Sequence, residues 1–125
     1  MQRNTLTFSI CFPASTPNGF LPFCVQDSSM LGAGIRDGDY VLFVSAEDQW
    51  LHDGIYVFAL DGEVYCKRLE FERISQKTKI YSVRVSELEK AELLATIDAS
   101  DISEAARLTI FGRVLSWVHP NLDDG

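Results

Sequence analysis

A two-residue loop between two apolar runs is the feature that most constrains the fold of this chain. One run extends from Gly54 to Leu60, the next from Glu63 to Leu69, and only Asp61-Gly62 separates them. Such a loop favours a tight β-hairpin, because both of its positions need a left-handed backbone that Asp tolerates and Gly adopts freely. The sequence therefore predicts two antiparallel strands here, in a chain rich in β-structure.

Other segments show the same pattern of short apolar runs between turn residues. Strands are predicted at Leu6–Phe12, Phe20–Val25, Tyr40–Val44, Lys79–Val85, Leu93–Ile97 and Leu108–Val118. Pro22 suits an edge strand, because proline has no N–H to donate to a neighbouring strand. Gly112 predicts a bulge or a close backbone approach in the last strand.

Only two segments favour helix, and both are short. Asp101–Ala106 predicts one helical turn capped by Ser100 or Asp101, and Ser86–Glu92 fits either a short helix or a wide hairpin turn. The predicted fold class is mostly β: compact, curved antiparallel sheets or a partly open barrel. The chain has 125 residues and no linker or repeat, so we expect one domain, with an N-terminal arm at 1–19, a core at 20–118 and a tail at 119–125.

Charge and cysteine content argue against several classes of function. The net charge is −7 and lysines and arginines do not cluster, so any contact with DNA is expected to come from another segment. Cys11, Cys24 and Cys66 form no Cys-x-x-Cys pair, and the sequence predicts no metal site and no cofactor. No apolar run has the length of a membrane span, so we expect a cytoplasmic protein without a membrane partner.

Three separated motifs carry the candidate chemistry: Ser28-Ser29-Met30, Asp37-Gly38-Asp39 and Lys67-Arg68-Leu69. A serine hydroxyl is a weak nucleophile until a neighbouring base takes its proton, and a lysine amine can be that base. A lysine ordinarily loses its proton only at about pH 10.4, so about one in a few thousand is neutral at pH 7. Apolar surroundings raise that fraction, because they disfavour the charged form.

These residues also have less specific explanations. A Lys-Arg pair on a strand can simply be solvated, and a serine ahead of glycine can simply form a turn. Ser28 competes with Ser29 for the role of nucleophile. Strand alternation places Lys67 and Arg68 on opposite faces, so one of the two cations must point toward more buried surroundings.

The order and spacing of the motifs resemble the LexA-like self-cleaving serine peptidases, which include LexA, the lambda-type phage repressors and UmuD. In that family a Ser-Met precedes an Asp-Gly-Asp, and a Lys-Arg-Leu or Lys-Lys-Leu follows; here Lys67 comes 38 positions after Ser29. The resemblance extends from about Phe20 to Val118. It implies a curved, largely antiparallel β fold with Ser29 as nucleophile and Lys67 as general base. Backbone N–H groups around Ser28 and Ser29 are the expected oxyanion donors.

The resemblance also implies a function and partners. The leading expectation is the C-terminal autopeptidase and dimerisation domain of a LexA-like or phage-type transcriptional repressor, which cleaves its own hinge to relieve repression. Such a domain forms a homodimer, responds to a RecA filament in an SOS response or to an antirepressor protein, and reaches DNA only through a head domain expected to be absent here. Two alternatives stay open: a catalytically silent oligomerisation domain, with the edge of Leu108–Val118 as its contact surface, and a UmuD-like polymerase accessory subunit.

The chain departs from the family pattern in two ways. Relatives usually have glycine two positions before the serine, whereas this chain has Asp27, a carboxylate that can hold Lys67 in its charged form. Relatives also cleave themselves at an Ala-Gly or Cys-Gly bond ahead of the serine, and neither dipeptide occurs between Met1 and Ser28. The sequence therefore predicts the catalytic pair without predicting its cleavage site.

Overall fold

A computed structural model describes residues 21–45 and 51–120. In chain order, the strands are β1 (Leu21–Cys24), β2 (Tyr40–Ser45), β3 (Gly54–Leu60), β4 (Glu63–Glu72), β5 (Lys77–Ser82), β6 (Glu92–Asp98) and β7 (Leu108–Val118). One short α-helix, α1 (Ile102–Ala105), lies between β6 and β7, and 3₁₀ turns occur at Leu31–Ala33 and Leu88–Lys90. The strand predicted at Leu6–Phe12 and the end of the predicted tail, 121–125, lie outside the described residues.

The seven strands form one open sheet in the order β1-β2-β7-β3-β4-β5-β6, and every neighbouring pair is antiparallel. The prediction of a mostly β, antiparallel fold is therefore confirmed. Within the described part of the chain, the sheet does not close into a barrel, since β1 and β6 remain at its two edges. Pro22 lies on the edge strand β1, as its missing N–H requires.

The hairpin between β3 and β4 matches the sequence prediction. Asp61 and Gly62 both have positive φ angles, 52° and 89°, which lets the two strands connect without splaying apart. Strand β4 is longer than predicted and continues to Glu72, because residues 70–72, beyond the last partner on β3, still pair with β5.

The predicted helical turn is α1, and its cap is Asp101, whose side chain accepts hydrogen bonds from the N–H groups of Ser103 and Glu104. Within the segment Ser86–Glu92, Leu88–Lys90 forms the 3₁₀ turn and Glu92 begins β6. No helix among residues 21–45 and 51–120 is long and apolar enough to cross a membrane.

The last strand differs from the prediction in its position. β7 was expected to present an exposed edge, but it pairs with β2 on one side and β3 on the other. β3 pairs with residues 108–113 and β2 with residues 112–118, so β7 lies between two strands and is not an outer strand of the described sheet. The register with β3 shifts at Phe111 and the register with β2 shifts at Leu115, and each shift leaves a bulge in β7. Phe111 is next to Gly112, where the sequence predicted an irregularity, and Leu115 is three residues beyond it.

Buried apolar side chains cover both faces of the sheet in two clusters. The first core cluster consists of Phe23, Val25, Met30, Ile35, Val41, Phe43, Val57, Cys66 and Val83. The second core cluster consists of Tyr56, Phe58, Leu69, Ile80 and Ile97. Val57 of β3 belongs to the first cluster and its neighbours Tyr56 and Phe58 to the second, so the clusters lie on opposite faces.

Candidate active site

Ser29 lies in the loop that joins β1 to β2, and backbone hydrogen bonds fix this loop in two places. At its base, the N–H of Val25 donates to the carbonyl of Asp39, and the N–H of Gly38 donates to the carbonyl of Val25, both at 2.8 Å. Farther along, the N–H of Val83 donates to the carbonyl of Ser29 at 2.8 Å. Since Val83 directly follows β5, the backbone of Ser29 is held against the end of that strand.

A glycine lets the loop approach the sheet this closely. The N–H of Gly32 donates to the carbonyl of Val83 at 2.7 Å, and a Cβ atom at Gly32 would collide with the backbone of Val85. Met30 is fully buried in the first core cluster and anchors the residue next to Ser29. Packing on one side and hydrogen bonds on the other therefore orient the serine.

Lys67 lies in the middle of β4, which is paired on both sides, and is directly opposite Tyr56 of β3. Only 9% of its side chain is exposed. Its Nζ lies 5.3 Å from the centre of the Tyr65 ring, within the range of a cation–π interaction. The neighbouring Arg68 forms an ion pair with Glu70 at 3.0 Å. Of the two adjacent cations, Lys67 is thus the one that points toward buried surroundings.

The structure brings the two predicted site residues into contact. Nζ of Lys67 and Oγ of Ser29 are 2.5 Å apart, and the two residues are only 7% and 4% exposed. Ser28 is exposed to solvent, so the hydroxyl that meets Lys67 belongs to Ser29. A serine and a lysine that are 38 positions apart in the chain therefore share a hydrogen bond largely shielded from water.

Asp27 is the third member of this cluster. Its Oδ1 accepts hydrogen bonds from the N–H of Ser29 at 3.0 Å and from the hydroxyl of Ser29 at 2.8 Å, and its Oδ2 lies 3.5 Å from Nζ of Lys67. Partial burial pushes the pKa of Asp27 upward, but the hydrogen bonds from Ser29 and the charge of Lys67 outweigh it and leave that pKa lowered. The carboxylate is therefore ionised at neutral pH.

Comparison with known proteins decides the family of this chain. The family model described as Peptidase S24-like matches residues 3–87, which is more than half of the chain and includes Ser29 and Lys67. This chain belongs to the Peptidase S24-like family. The resemblance to the LexA, UmuD and phage-repressor self-cleaving peptidases is thereby confirmed, and the chain is of a serine peptidase kind. No curated protein matches it.

Two contacts from the end of β7 hold the serine loop of this Peptidase S24-like chain, and sequence reasoning missed both. The indole N–H of Trp117 donates to the carbonyl of Gly34 at 3.0 Å. Nδ1 of His119 lies 2.6 Å from Oδ1 of the buried Asp39, whose Oδ2 accepts the N–H of Arg36 at 2.7 Å. The partners are 83 and 80 positions apart, so no local sequence pattern indicates them.

Cys66 is adjacent to Lys67 in the chain but lies outside the site. Its side chain belongs to the first core cluster, on the opposite face of β4. Burial raises the pKa of Cys66 to about 12, so its thiol stays protonated and is a poor nucleophile at neutral pH. Within the described ranges, no three His, Cys, Asp or Glu side chains lie close enough together to hold a metal ion.

Proposed function

We propose that this chain is the C-terminal autopeptidase and dimerisation domain of a LexA-like or phage-type transcriptional repressor. Ser29 is the nucleophile, Lys67 is the general base, and the peptide bond they cleave lies in the hinge of the same protein. The observation that carries the proposal is the shielded 2.5 Å contact between Ser29 Oγ and Lys67 Nζ. Membership of a family of self-cleaving peptidases supports it.

The reaction begins when neutral Lys67 accepts the hydroxyl proton of Ser29 as Oγ attacks the carbonyl carbon of the hinge bond. Backbone N–H groups beside Ser29 stabilise the oxyanion. The intermediate then collapses, Lys67 returns the proton to the departing amine, and the acyl group remains as an ester on Ser29. Water attacks this ester while Lys67 accepts one of its protons. Release of the carboxyl fragment transfers that proton to Oγ and restores both side chains.

In this proposal, cleavage separates a DNA-binding head from the domain that pairs two copies of the protein. A repressor that binds a palindromic site needs both copies held together, so separation releases DNA. The trigger is either a RecA filament, as in an SOS response, or an antirepressor protein, and the reaction takes place in the cytoplasm.

The dimer surface we propose is an exposed face of β2 and β7 rather than a strand edge. Tyr40 and Val118 lie opposite each other in this antiparallel pair and are 39% and 54% exposed. Leu115, in a β7 bulge, is 45% exposed. Exposed apolar side chains on adjacent strands are typical of surfaces that bind another protein.

A second candidate function is a catalytically silent oligomerisation domain. The contacts of Asp27 with both Ser29 and Lys67 favour it, because a carboxylate at this position stabilises the charged form of the lysine and so opposes its action as a base. The two candidates share a fold and a dimer surface, and differ only in whether a peptide bond is broken.

Incubation of the full-length natural protein from pH 7 to 10, alone and with a RecA filament on single-stranded DNA, distinguishes them. Mass spectrometry of the products follows the cleavage. We expect two fragments whose yield rises with pH in the wild type and in Ser28→Ala, the matched control for a neighbouring exposed serine. Ser29→Ala and Lys67→Ala should give neither fragment.

Intact wild type under every condition, including addition of an antirepressor where one is known, would favour the silent domain. Cleavage that persists in Ser29→Ala would assign the reaction to another residue or to a contaminating peptidase. Circular dichroism of each variant verifies that it is folded.

A further inference from the structure

Three polar groups at the candidate active site form a closed ring. Nζ of Lys67 is 2.5 Å from Oγ of Ser29, that Oγ is 2.8 Å from Oδ1 of Asp27, and Oδ2 of Asp27 is 3.5 Å from Nζ. The serine hydroxyl has a single proton, and the ionised carboxylate can only accept one. The hydroxyl therefore donates to Asp27, and Lys67 donates to Ser29. A lysine that donates in this way cannot at the same moment accept the serine proton.

Asp27 also occupies a backbone donor that catalysis needs. The N–H of Ser29 donates to Oδ1 of Asp27 at 3.0 Å. In serine peptidases the N–H of the nucleophilic residue commonly helps to bind the oxyanion. A substrate carbonyl oxygen must therefore compete with Oδ1 of Asp27 for the same N–H.

We propose that Asp27 is a built-in brake on the peptidase, whose carboxylate engages the hydroxyl and N–H of Ser29 and the ammonium of Lys67 until it is displaced. This inference rests on the proposed function, in which Ser29 and Lys67 cleave a peptide bond. The side chain of Asp27 is 52% exposed, so its displacement does not require the core to open. A hinge segment entering the site, or a partner that binds Asp27, releases the brake.

Other charged or titratable groups on β4 do not take the place of Asp27. Tyr65 presents its ring to Nζ, and its hydroxyl donates to Glu63 at 3.2 Å. Cys66 faces the other side of the sheet, and Arg68 is paired with Glu70.

The polar and charged groups on the neighbouring strands also have other partners and do not replace Asp27 as the ion-pair partner of Lys67. On β3, the hydroxyl of Tyr56 donates to the carbonyl of His52 at 2.7 Å. At the start of β6, the Glu92 carboxylate lies 3.7 Å from the guanidinium of Arg84 and accepts a hydrogen bond from the Ser82 hydroxyl at 3.4 Å. Among residues 21–45 and 51–120, Asp27 is the only carboxylate within ion-pair distance of Lys67.

Two measurements on the purified chain test the brake. The first is the rate at which a fluorophosphonate probe labels Ser29 between pH 6 and 10 in the wild type, Asp27→Asn and Asp27→Gly. The second is the pH midpoint of the Lys67 Cε signal in NMR spectra of ¹³C-lysine protein, which reports the lysine proton whether or not the serine reacts. Asp37→Asn is the matched control, because Asp37 is an exposed carboxylate in the same loop.

Both substitutions at Asp27 should lower the pH midpoint of Ser29 labelling and the pH midpoint of the Lys67 Cε signal by about one pH unit. Labelling at pH 7 should become roughly tenfold faster, whereas Asp37→Asn should behave as the wild type. Unchanged midpoints, or slower labelling in both Asp27 variants, would overturn the brake; slower labelling would make Asp27 an assisting group. A lower NMR midpoint without labelling in any variant would support the ring but overturn Ser29 as a nucleophile, and with it the proposed function.

Discussion

The indole N–H of Trp117 donates a 3.0 Å hydrogen bond to the carbonyl oxygen of Gly34, which ties the last strand of the sheet to the loop that carries Ser29. His119 reinforces this tie through Asp39, the residue directly after the tight turn at Asp37-Gly38. The position of Ser29 therefore depends on residues at the far end of the described chain as well as on its own loop.

Removal of the Trp117 hydrogen bond tests this dependence. Trp117→Phe keeps an aromatic ring but loses the N–H, so we expect a loss of about 1 kcal/mol in the free energy of unfolding. Ser29 should also react several-fold more slowly with the fluorophosphonate probe, because its loop is held less firmly. Urea unfolding and the labelling rate measure the two effects. A normal labelling rate in a destabilised Trp117→Phe would restrict Trp117 to a purely structural role.

The close approach of Gly32 to the sheet leads to a second prediction. Gly32→Ala places a methyl group against the backbone of Val85, which cannot yield as a flexible side chain would. We expect this overpacking to cost about 1–3 kcal/mol of stability and to abolish most of the labelling of Ser29.

Gly54→Ala is the matched control for Gly32→Ala. A Cβ atom at Gly54 has its nearest neighbours at 3.9 Å, an ordinary contact distance. We therefore expect less than about 1 kcal/mol of change in stability and an unchanged labelling rate. Equal effects of the two alanines on thermal unfolding would contradict the close approach at Gly32.

The buried thiol of Cys66 predicts a loss of stability at alkaline pH. Burial raises the pKa of Cys66 from 9.0 to about 12, so the folded protein holds this proton more tightly than the unfolded chain does. The stabilisation is fully present below pH 9.0 and is lost as the pH rises toward 12. In that window the free energy of unfolding should fall by up to ~1.4 kcal/mol per pH unit.

Urea unfolding of the wild type and Cys66→Ala at pH 8, 9 and 10 isolates this contribution. The variant should be less stable at pH 8, because it leaves a small cavity, but its stability should decline less between pH 8 and 10. The pKa values of Tyr56 and Tyr65 are also raised by burial, so a residual decline at higher pH is expected in both proteins. Parallel pH profiles for the two proteins would contradict the assignment to Cys66.

The proposed dimer face yields a prediction about association. Val118→Glu places a charge on an exposed apolar position opposite Tyr40, and we expect it to weaken dimerisation at least tenfold. Ile74→Glu is the control, because Ile74 is fully exposed in the turn between β4 and β5, outside that face. Sedimentation equilibrium of both variants measures the change. Equal dimer strength in Val118→Glu and the wild type would move the interface elsewhere.

Most strands were predictable because their evidence is local. The hairpin from β3 to β4 follows from Asp61-Gly62 and the flanking apolar runs, and β7 was predicted with its observed bounds, Leu108–Val118. Strand β5 was predicted to reach Val85 but ends at Ser82, because the N–H of Val83 bonds to the Ser29 loop instead. Its end depends on a partner far away in the chain, which apolar patterning does not reveal.

The site was predicted in part, through the resemblance to the LexA-like peptidases. That resemblance, carried by motif order and spacing, selected Ser29 and Lys67, and the structure brings their side chains into contact. Sequence reasoning also noticed Asp27 as an unusual residue near the serine. It did not indicate that one carboxylate oxygen accepts both the N–H and the hydroxyl of Ser29, because that depends on the fold of the loop.

By itself, the sequence determined that this chain forms a mostly β fold and that its cysteines form no Cys-x-x-Cys pair, and the family resemblance of its motifs indicated Ser29 and Lys67. The fold class and the cysteine pattern depend on residue type, alternation and short-range spacing. Only the tertiary structure decided that β7 is a central strand, that Trp117 and His119 hold the serine loop, and that Asp27 closes a ring with Ser29 and Lys67. These relationships join residues that are far apart in the chain and are brought together by packing. Burial of apolar faces determines which distant side chains meet, and no local sequence pattern indicates those contacts.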